Sequence, residues 1–177
     1  EFVRDGFDWD VWEKNILRMY HSENVRSVHI MMTISALSVW SVNEFLQKIV
    51  NWRKEFEDKE AFYMSVNILR FPSFQSVNII SQDVKNTIAD KLEKTINENK
   101  DWMKEWEINH YERLVTYLRN VDKSYEDQDV MENKHNDFKH FVLQYAKRRQ
   151  KPIEEYLPYE FINWFTGIKT LDEKPAI

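Results

Sequence analysis

The chain has 177 residues, enough for one domain with a substantial core, and its 42% hydrophobic and 31% charged composition is typical of a globular protein. A formal net charge of −5 argues against a general affinity for nucleic acid or anionic membranes. Two glycines argue against a glycine-rich phosphate loop, and the lack of cysteine excludes disulfides and thiolate-bound metal within the chain. With no run of about 18 apolar residues and no signal-peptide pattern, the sequence predicts a cytoplasmic protein.

The first predicted element is a helix over Trp9–Tyr20. Asp8 is a favourable N-cap residue, and apolar side chains recur every three or four residues along one face of the segment. A short polar connection then leads towards a strand.

That strand, predicted within Val25–Trp40, is the element around which the chain is organised. Aliphatic side chains alternate there with a mixed set, which is the period of a strand. The aliphatic set is Val28, Ile30, Met32 and Ile34, and the mixed set is His29, Met31, Thr33 and Ser35. Because strands this rich in β-branched residues are usually buried, we expect the mixed face to point into a barrel or cleft.

The same alternation recurs over Phe62–Leu69, and between the two strands Ser41 can cap a helix over Val42–Phe56. Arg53 falls away from the apolar stripe of that helix and is expected on its solvated side. Strand, helix and strand together predict a βαβ unit with parallel strands. A single βαβ unit is not stable without further elements packed against it.

The rest of the chain predicts helices. Beyond Pro72 we expect a loop and a small edge strand over Val77–Ile80. Helices are predicted over Gln82–Asn97, Asp101–Asn120, Asp137–Arg149 and Tyr159–Phe165, with a helical turn at Glu154–Leu157. The acidic stretch Val121–Asn136 is predicted as a loop, and Thr170–Ile177 as a frayed tail.

Residues at the C-terminal ends of the two strands are the main candidates for a ligand site, because active sites lie at that edge in barrels of parallel strands and helices. The candidates are Thr33, Ser35 and Ser38 from the first strand and Asn67, Leu69 and Arg70 from the second. A purely structural role stays open for each of them. The five histidines lack the spacing of helical metal ligands, and we predict no metal site.

Four separated stretches together resemble the radical S-adenosylmethionine (radical SAM) superfamily, in particular the twitch-domain-containing radical SAM proteins frequent in phage and marine metagenomic sequences. The stretches are FVRDGFDWDVWEKNI, HIMMTISALSV, SVNILRFPSFQSVNIIS and QYAKRRQKPIEEYLPYEFINWF. Their order and spacing over nearly the whole chain carry the resemblance. The strand HIMMTISALS departs from those superfamily members that have a glycine-containing pattern at this place.

The resemblance implies a partial (β/α)6 barrel similar to a TIM barrel, whose fifth and sixth strands are the two found here. Residues 1–98 would be the C-terminal half of that barrel, and residues 99–177 a helical C-terminal extension. In the family a cysteine triad holds a four-iron four-sulfur cluster that reductively cleaves S-adenosylmethionine and generates a deoxyadenosyl radical. Because this chain has no cysteine, the resemblance implies an inactive fragment whose missing N-terminal half would lie upstream of Glu1.

By position, the resemblance assigns Thr33, Ser35, Asn67, Leu69 and Arg70 to the S-adenosylmethionine pocket. It implies hydrogen abstraction from an unknown substrate, either a peptide or a small molecule. A second class of function stays open, which is a non-enzymatic, mostly helical module that binds a protein partner. A CxxxCxxC motif encoded upstream would favour the enzyme, whereas a start codon close to the first codon of this chain would favour the module.

Overall fold

The computed structural model describes residue 2, residues 4–120 and residues 127–171. Within these ranges the fold is α/β and mostly helical, with two parallel strands in one sheet. The elements in order are α1 (Trp9–Tyr20), β1 (Val28–Ile34), α2 (Val42–Glu55), β2 (Phe62–Ile68), α3 (Gln82–Glu98), α4 (Glu105–Arg119), α5 (Gln128–Arg149), α6 (Ile153–Tyr156) and α7 (Tyr159–Thr166). None of the helices in this described part is both long and apolar enough to cross a membrane.

The predicted βαβ unit is confirmed. β1 and β2 pair in parallel, with Val28 beside Phe62 and Ile34 beside Ile68, and α2 connects them. The predicted cap of α1 is confirmed as well, since the carboxylate of Asp8 accepts a backbone N–H of the first turn at 2.9 Å. Both features arise from short-range sequence patterns.

β1 is much shorter than the stretch in which it is predicted, because two serine hydroxyls end it after Ile34. The N–H of Ser35 donates to Oγ of Ser38 at 2.9 Å, and that hydroxyl donates to the carbonyl of Thr33, also at 2.9 Å. These bonds compete with the ladder and fold the backbone into a turn. A 3₁₀ helix over Val39–Ser41 then leads into α2.

Two further predictions were wrong. Val77–Ile79 forms a 3₁₀ helix and not an edge strand, since an alternation over so few residues fits either structure. α5 begins at Gln128, capped by the carboxylate of Asp127, so the predicted acidic loop is helical from there onward. The predictions for residues 121–126 and 172–177 lie outside the described residues.

Side chains from two helices seal the outer edge of β2. Arg53 Nε donates to the carbonyl of Phe62 at 2.8 Å, Glu107 Oε1 accepts the N–H of Met64 at 2.8 Å, and Arg113 Nη2 donates to the carbonyl of Val66 at 3.2 Å. Arg53 of α2 and Glu107 of α4 also form an ion pair at 2.6 Å, and each side chain is only 1% exposed. The expectation that Arg53 is solvated was therefore wrong, and no further strand can pair with β2.

Candidate functional site

The helices cover the two faces of the sheet unequally. On the aliphatic face, Val28, Ile34, Phe62, Met64 and Val66 are all buried. On the mixed face, His29, Met31, Thr33 and Asn67 are exposed, Met31 at 75%, whereas Ser65 of β2 is buried. The indole of Trp106 on α4 covers the end of this face at which the strands begin, with its ring centroid 5.8 Å from that of His29. The mixed face is thus open along β1 and at the C-terminal edge of the sheet.

That C-terminal edge brings together two of the predicted site residues. Thr33 and Asn67 are partners in the strand register, and both are exposed on the mixed face. Neighbouring strands lie about 4.8 Å apart, so a hydroxyl and a carboxamide stand side by side. Both groups donate and accept hydrogen bonds, and one small polar ligand can contact them together.

Ser35 and Leu69 make hydrogen bonds that hold the backbone in place at this edge. The Ser35 hydroxyl accepts a backbone N–H two residues ahead at 3.3 Å, and the N–H of Leu69 donates to the last carbonyl of β1 at 2.8 Å. Arg70 follows directly and is exposed. Of the five residues that the resemblance assigns to a pocket, Thr33, Asn67 and Arg70 therefore present side chains for binding, and the other two shape the edge.

The loops that follow the two strands are fixed by hydrogen bonds. The N–H of Ala36, after β1, donates to the carbonyl of Gln75, after β2, at 2.8 Å. From α5, Nε2 of His135 donates to the carbonyl of Ile79 at 2.6 Å. Helix α5 thus supports the rim of the sheet, which we define as Thr33, Asn67, Arg70 and the loops that follow β1 and β2.

Sequence reasoning missed one candidate on the rim, Phe71. Its ring is 83% exposed and directly follows Arg70. Exposed aromatic rings offer a flat surface on which nucleobases stack. The available signal was an aromatic residue immediately before Pro72, outside any periodic pattern and next to a predicted site residue.

The residues of this chain do not fit an iron–sulfur cluster. Such clusters are held by cysteine thiolates, and the sequence contains no cysteine. Within the described ranges, no three histidine or carboxylate side chains are grouped so that they could hold a metal ion. The rim offers other chemistry: Thr33 and Asn67 can hydrogen-bond to hydroxyl and amine groups, and the Arg70 guanidinium can pair with a carboxylate.

Comparison of the chain with protein-family models, with curated proteins and with solved structures finds no match. The sheet, its rim and the resemblance described above are therefore the grounds for a function.

Replacing Ser38 by alanine is expected to lower the free energy of unfolding by about 1–2 kcal/mol. The reason is that its hydroxyl holds both the N–H of Ser35 and the carbonyl of Thr33. Ser41→Ala is the matched control, since that exposed hydroxyl makes one bond of 3.4 Å, and its loss is expected to stay within about 0.5 kcal/mol. Urea denaturation of both variants gives the comparison, and equal losses would contradict the proposed importance of the Ser38 turn.

Proposed function

We propose that this chain is the C-terminal portion of a radical SAM enzyme, in which β1 and β2 are the last two strands of a partial barrel. The observation that carries the proposal is the open mixed face of β1, where His29, Met31 and Thr33 are exposed while the aliphatic face of the sheet is buried. Helices cover both faces of an open parallel sheet, but only the outer face of a barrel. An uncovered mixed face along β1 is what the inner wall of a barrel presents when its other strands are absent.

The rim would bind S-adenosylmethionine, because barrels of this kind bind ligands at the C-terminal ends of their strands. Thr33 and Asn67 would hydrogen-bond to the ribose or methionine groups, and Phe71 would stack on the adenine. Arg70 would pair with the methionine carboxylate. The resemblance and the position of these four residues at one edge of the sheet support this assignment.

The cluster ligands would come from the N-terminal half of the barrel, which is the partner that this proposal requires. The N-terminal half of the barrel and S-adenosylmethionine would supply the reductive chemistry. The contribution of this chain is a wall that excludes water and a rim that orients the cofactor towards a peptide or small-molecule substrate.

The test compares the chain of residues 1–177 with the full reading frame that encodes it. After anaerobic reconstitution with iron and sulfide, the 177-residue chain is expected to bind no cluster and to cleave no S-adenosylmethionine. The full reading frame is expected to contain a CxxxCxxC motif, and its product to release deoxyadenosine and methionine, measured by chromatography. Cleavage by the 177-residue chain alone would contradict the proposal.

In the full-length protein, Thr33→Val and Asn67→Ala are each expected to lower the rate of cleavage about tenfold, since one hydrogen bond of about 1.4 kcal/mol is lost. Asn97→Ala, on the exposed side of α3, is the matched control and is expected to leave the rate unchanged. A reading frame that starts at the first codon of this chain would instead favour the non-enzymatic helical module.

A further inference from the structure

A concave surface bounded by α3 and α7, with no strand residue in its lining, forms what we call the helical groove. α3 turns Val84, Ile88 and Lys91 towards it, and their spacing of four and three residues places them on one face of the helix. α7 turns Glu160 and Trp164 towards it from the other side. The groove has a volume of about 770 Å³, which lies in the range of about 300–1,000 Å³ that is usual for small-molecule sites.

Two indole rings form part of the wall of the helical groove. Trp40 and Trp164 both line it, and their ring centroids are 5.6 Å apart. Nε1 of Trp40 donates to the carbonyl of Ala36 at 2.7 Å, and the ring of Trp164 packs on that of Phe138 with centroids 5.6 Å apart. Because neighbouring groups hold both indoles, their surface is formed before a ligand arrives, which lowers the entropy cost of binding.

The same groove is lined by a carboxamide with an unpaired oxygen, that of Asn43, three residues after Trp40 in the first turn of α2. Its Oδ1 is buried and has no hydrogen-bond partner within the described ranges. Most buried polar atoms in proteins are paired, and an amide oxygen is an acceptor. A ligand that carries an N–H donor would therefore satisfy this atom.

The charges around the groove favour a cation. The described residues that line it contribute four carboxylates and two ammonium groups, namely Glu44, Asp83, Glu132 and Glu160 with Lys91 and Lys169. With histidine counted as neutral, four negative and two positive charges leave a formal charge of −2. Lys91 Nζ lies 3.9 Å from a carboxylate oxygen of Glu160. A concave site with this balance repels phosphates and carboxylates and attracts cations.

We propose that the helical groove binds a small organic amine that is protonated at neutral pH and carries an aliphatic or aromatic body. The body would lie on the indoles of Trp40 and Trp164, while the ammonium group would donate to Oδ1 of Asn43 and face the carboxylates. An ammonium group over an indole also gains a cation–π interaction, for which tryptophan is the best ring. The four side chains proposed to contact S-adenosylmethionine do not line this groove, so the inference is independent of the proposed enzyme.

A neutral sugar is the competing ligand, because sugar rings also pack on indoles and their hydroxyls also bond to carboxamides and carboxylates. The charge of the groove favours the amine. A neutral ligand would remove water from the carboxylates without supplying a counter-charge, which costs free energy. An ammonium group supplies that charge.

Titration of the 177-residue chain with phenethylamine, followed by the indole N–H signals in two-dimensional NMR spectra, tests the inference. 2-Phenylethanol serves as the neutral isostere and cellobiose as the neutral sugar. Phenethylamine is expected to shift the signals of Trp40 and Trp164 and to bind at least about tenfold more tightly than either neutral compound. The signal of Trp106, an indole that is 39% exposed and lies outside the groove, is expected to stay in place.

Three results of this titration would overturn the inference. They are the absence of shifts at Trp40 and Trp164, equal shifts at Trp106, and binding of 2-phenylethanol or cellobiose as tight as that of phenethylamine. The last result would assign the groove to a neutral ligand.

Charge variants with opposite expected effects give a second readout. Glu160→Gln keeps the volume and removes a carboxylate, so it is expected to weaken phenethylamine binding about threefold. Lys169→Gln removes a positive charge and is expected to strengthen binding by a similar factor. Both residues are exposed, and substitutions at exposed positions change stability little. Glu93→Gln, on the part of α3 outside the groove, is the matched control and is expected to leave the affinity unchanged.

Asn43→Leu tests the unpaired acceptor. It replaces the carboxamide by an apolar group of similar size and is expected to weaken phenethylamine binding about tenfold, while 2-phenylethanol loses less because its hydroxyl carries no charge. A cooperative urea transition shows that the variant is folded. An unchanged affinity for phenethylamine in folded Asn43→Leu, or effects of the same sign in Glu160→Gln and Lys169→Gln, would overturn the inference.

Discussion

Replacing Glu107 by alanine is expected to lower the free energy of unfolding by about 3–5 kcal/mol, because it leaves the guanidinium of Arg53 buried without its counter-charge. Both side chains are 1% exposed, so water cannot take the place of the carboxylate. The substitution also removes the acceptor of the Met64 N–H, which lies 2.8 Å from Oε1 of Glu107. Chemical denaturation of the variant and the parent chain measures the loss.

An exposed ion pair provides the matched control. Glu93 is 49% exposed and pairs with Arg119 at 2.7 Å. Because exposed pairs contribute about 0–1 kcal/mol, Glu93→Ala is expected to cost little. Glu107→Gln keeps the volume and an acceptor oxygen, and its loss is expected to fall between the other two. A loss for Glu107→Ala no larger than that for Glu93→Ala would show that the buried pair does not stabilise the edge of β2.

The burial of Arg53 could not be predicted from the sequence. By periodicity the residue belongs to the solvated side of α2, since it falls off the apolar stripe. The structure buries it because Glu107, 54 residues further along the chain, supplies a carboxylate. The carbonyls of Phe62 and Trp102 accept further N–H groups of the same guanidinium at 2.8 and 2.7 Å. Periodicity describes one helix at a time and contains no information about partners on another.

The sheet and part of its rim were predictable, because a period of two is a local property of the sequence. Once β1 and β2 are parallel and joined by α2, their C-terminal ends lie at one edge, and Thr33 and Asn67 meet there. The turn made by Ser35 was not predictable, because a serine hydroxyl can either follow the strand or compete with its ladder. Phe71 was missed because the exposure of a loop residue depends on which other segments pack beside it.

Replacing Tyr111 by phenylalanine is expected to stabilise the chain by about 1 kcal/mol near neutral pH. Tyr111 lies on α4 and is fully buried, and among the described residues its hydroxyl has no hydrogen-bond partner. A buried polar group without a partner costs about 1–3 kcal/mol. Phenylalanine keeps the ring in place and removes that cost.

The stabilisation is expected to grow in alkaline solution. Burial, together with the nearby Glu107 carboxylate, raises the pKa of the Tyr111 hydroxyl far above its ordinary value. The unfolded chain releases this proton near pH 10, about the ordinary tyrosine pKa, while the folded chain retains it. The stability of the parent chain is therefore unaffected by this group below about pH 10 and falls by about 1.4 kcal/mol per pH unit above it. In Tyr111→Phe this part of the alkaline loss disappears.

Tyr117→Phe is the matched control on the same helix and is expected to have the opposite sign. The Tyr117 hydroxyl accepts a hydrogen bond from Nδ2 of Asn78 at 3.0 Å, and Asn78 is 7% exposed, so removal of the hydroxyl is expected to destabilise the chain by about 1 kcal/mol. Urea denaturation of the three proteins between about pH 7 and about pH 11 covers the range in which the tyrosine hydroxyl titrates. If Tyr111→Phe is less stable than the parent chain, the buried Tyr111 hydroxyl has a hydrogen-bond partner. If the difference in stability between the two proteins stays constant with pH, that hydroxyl retains its ordinary pKa.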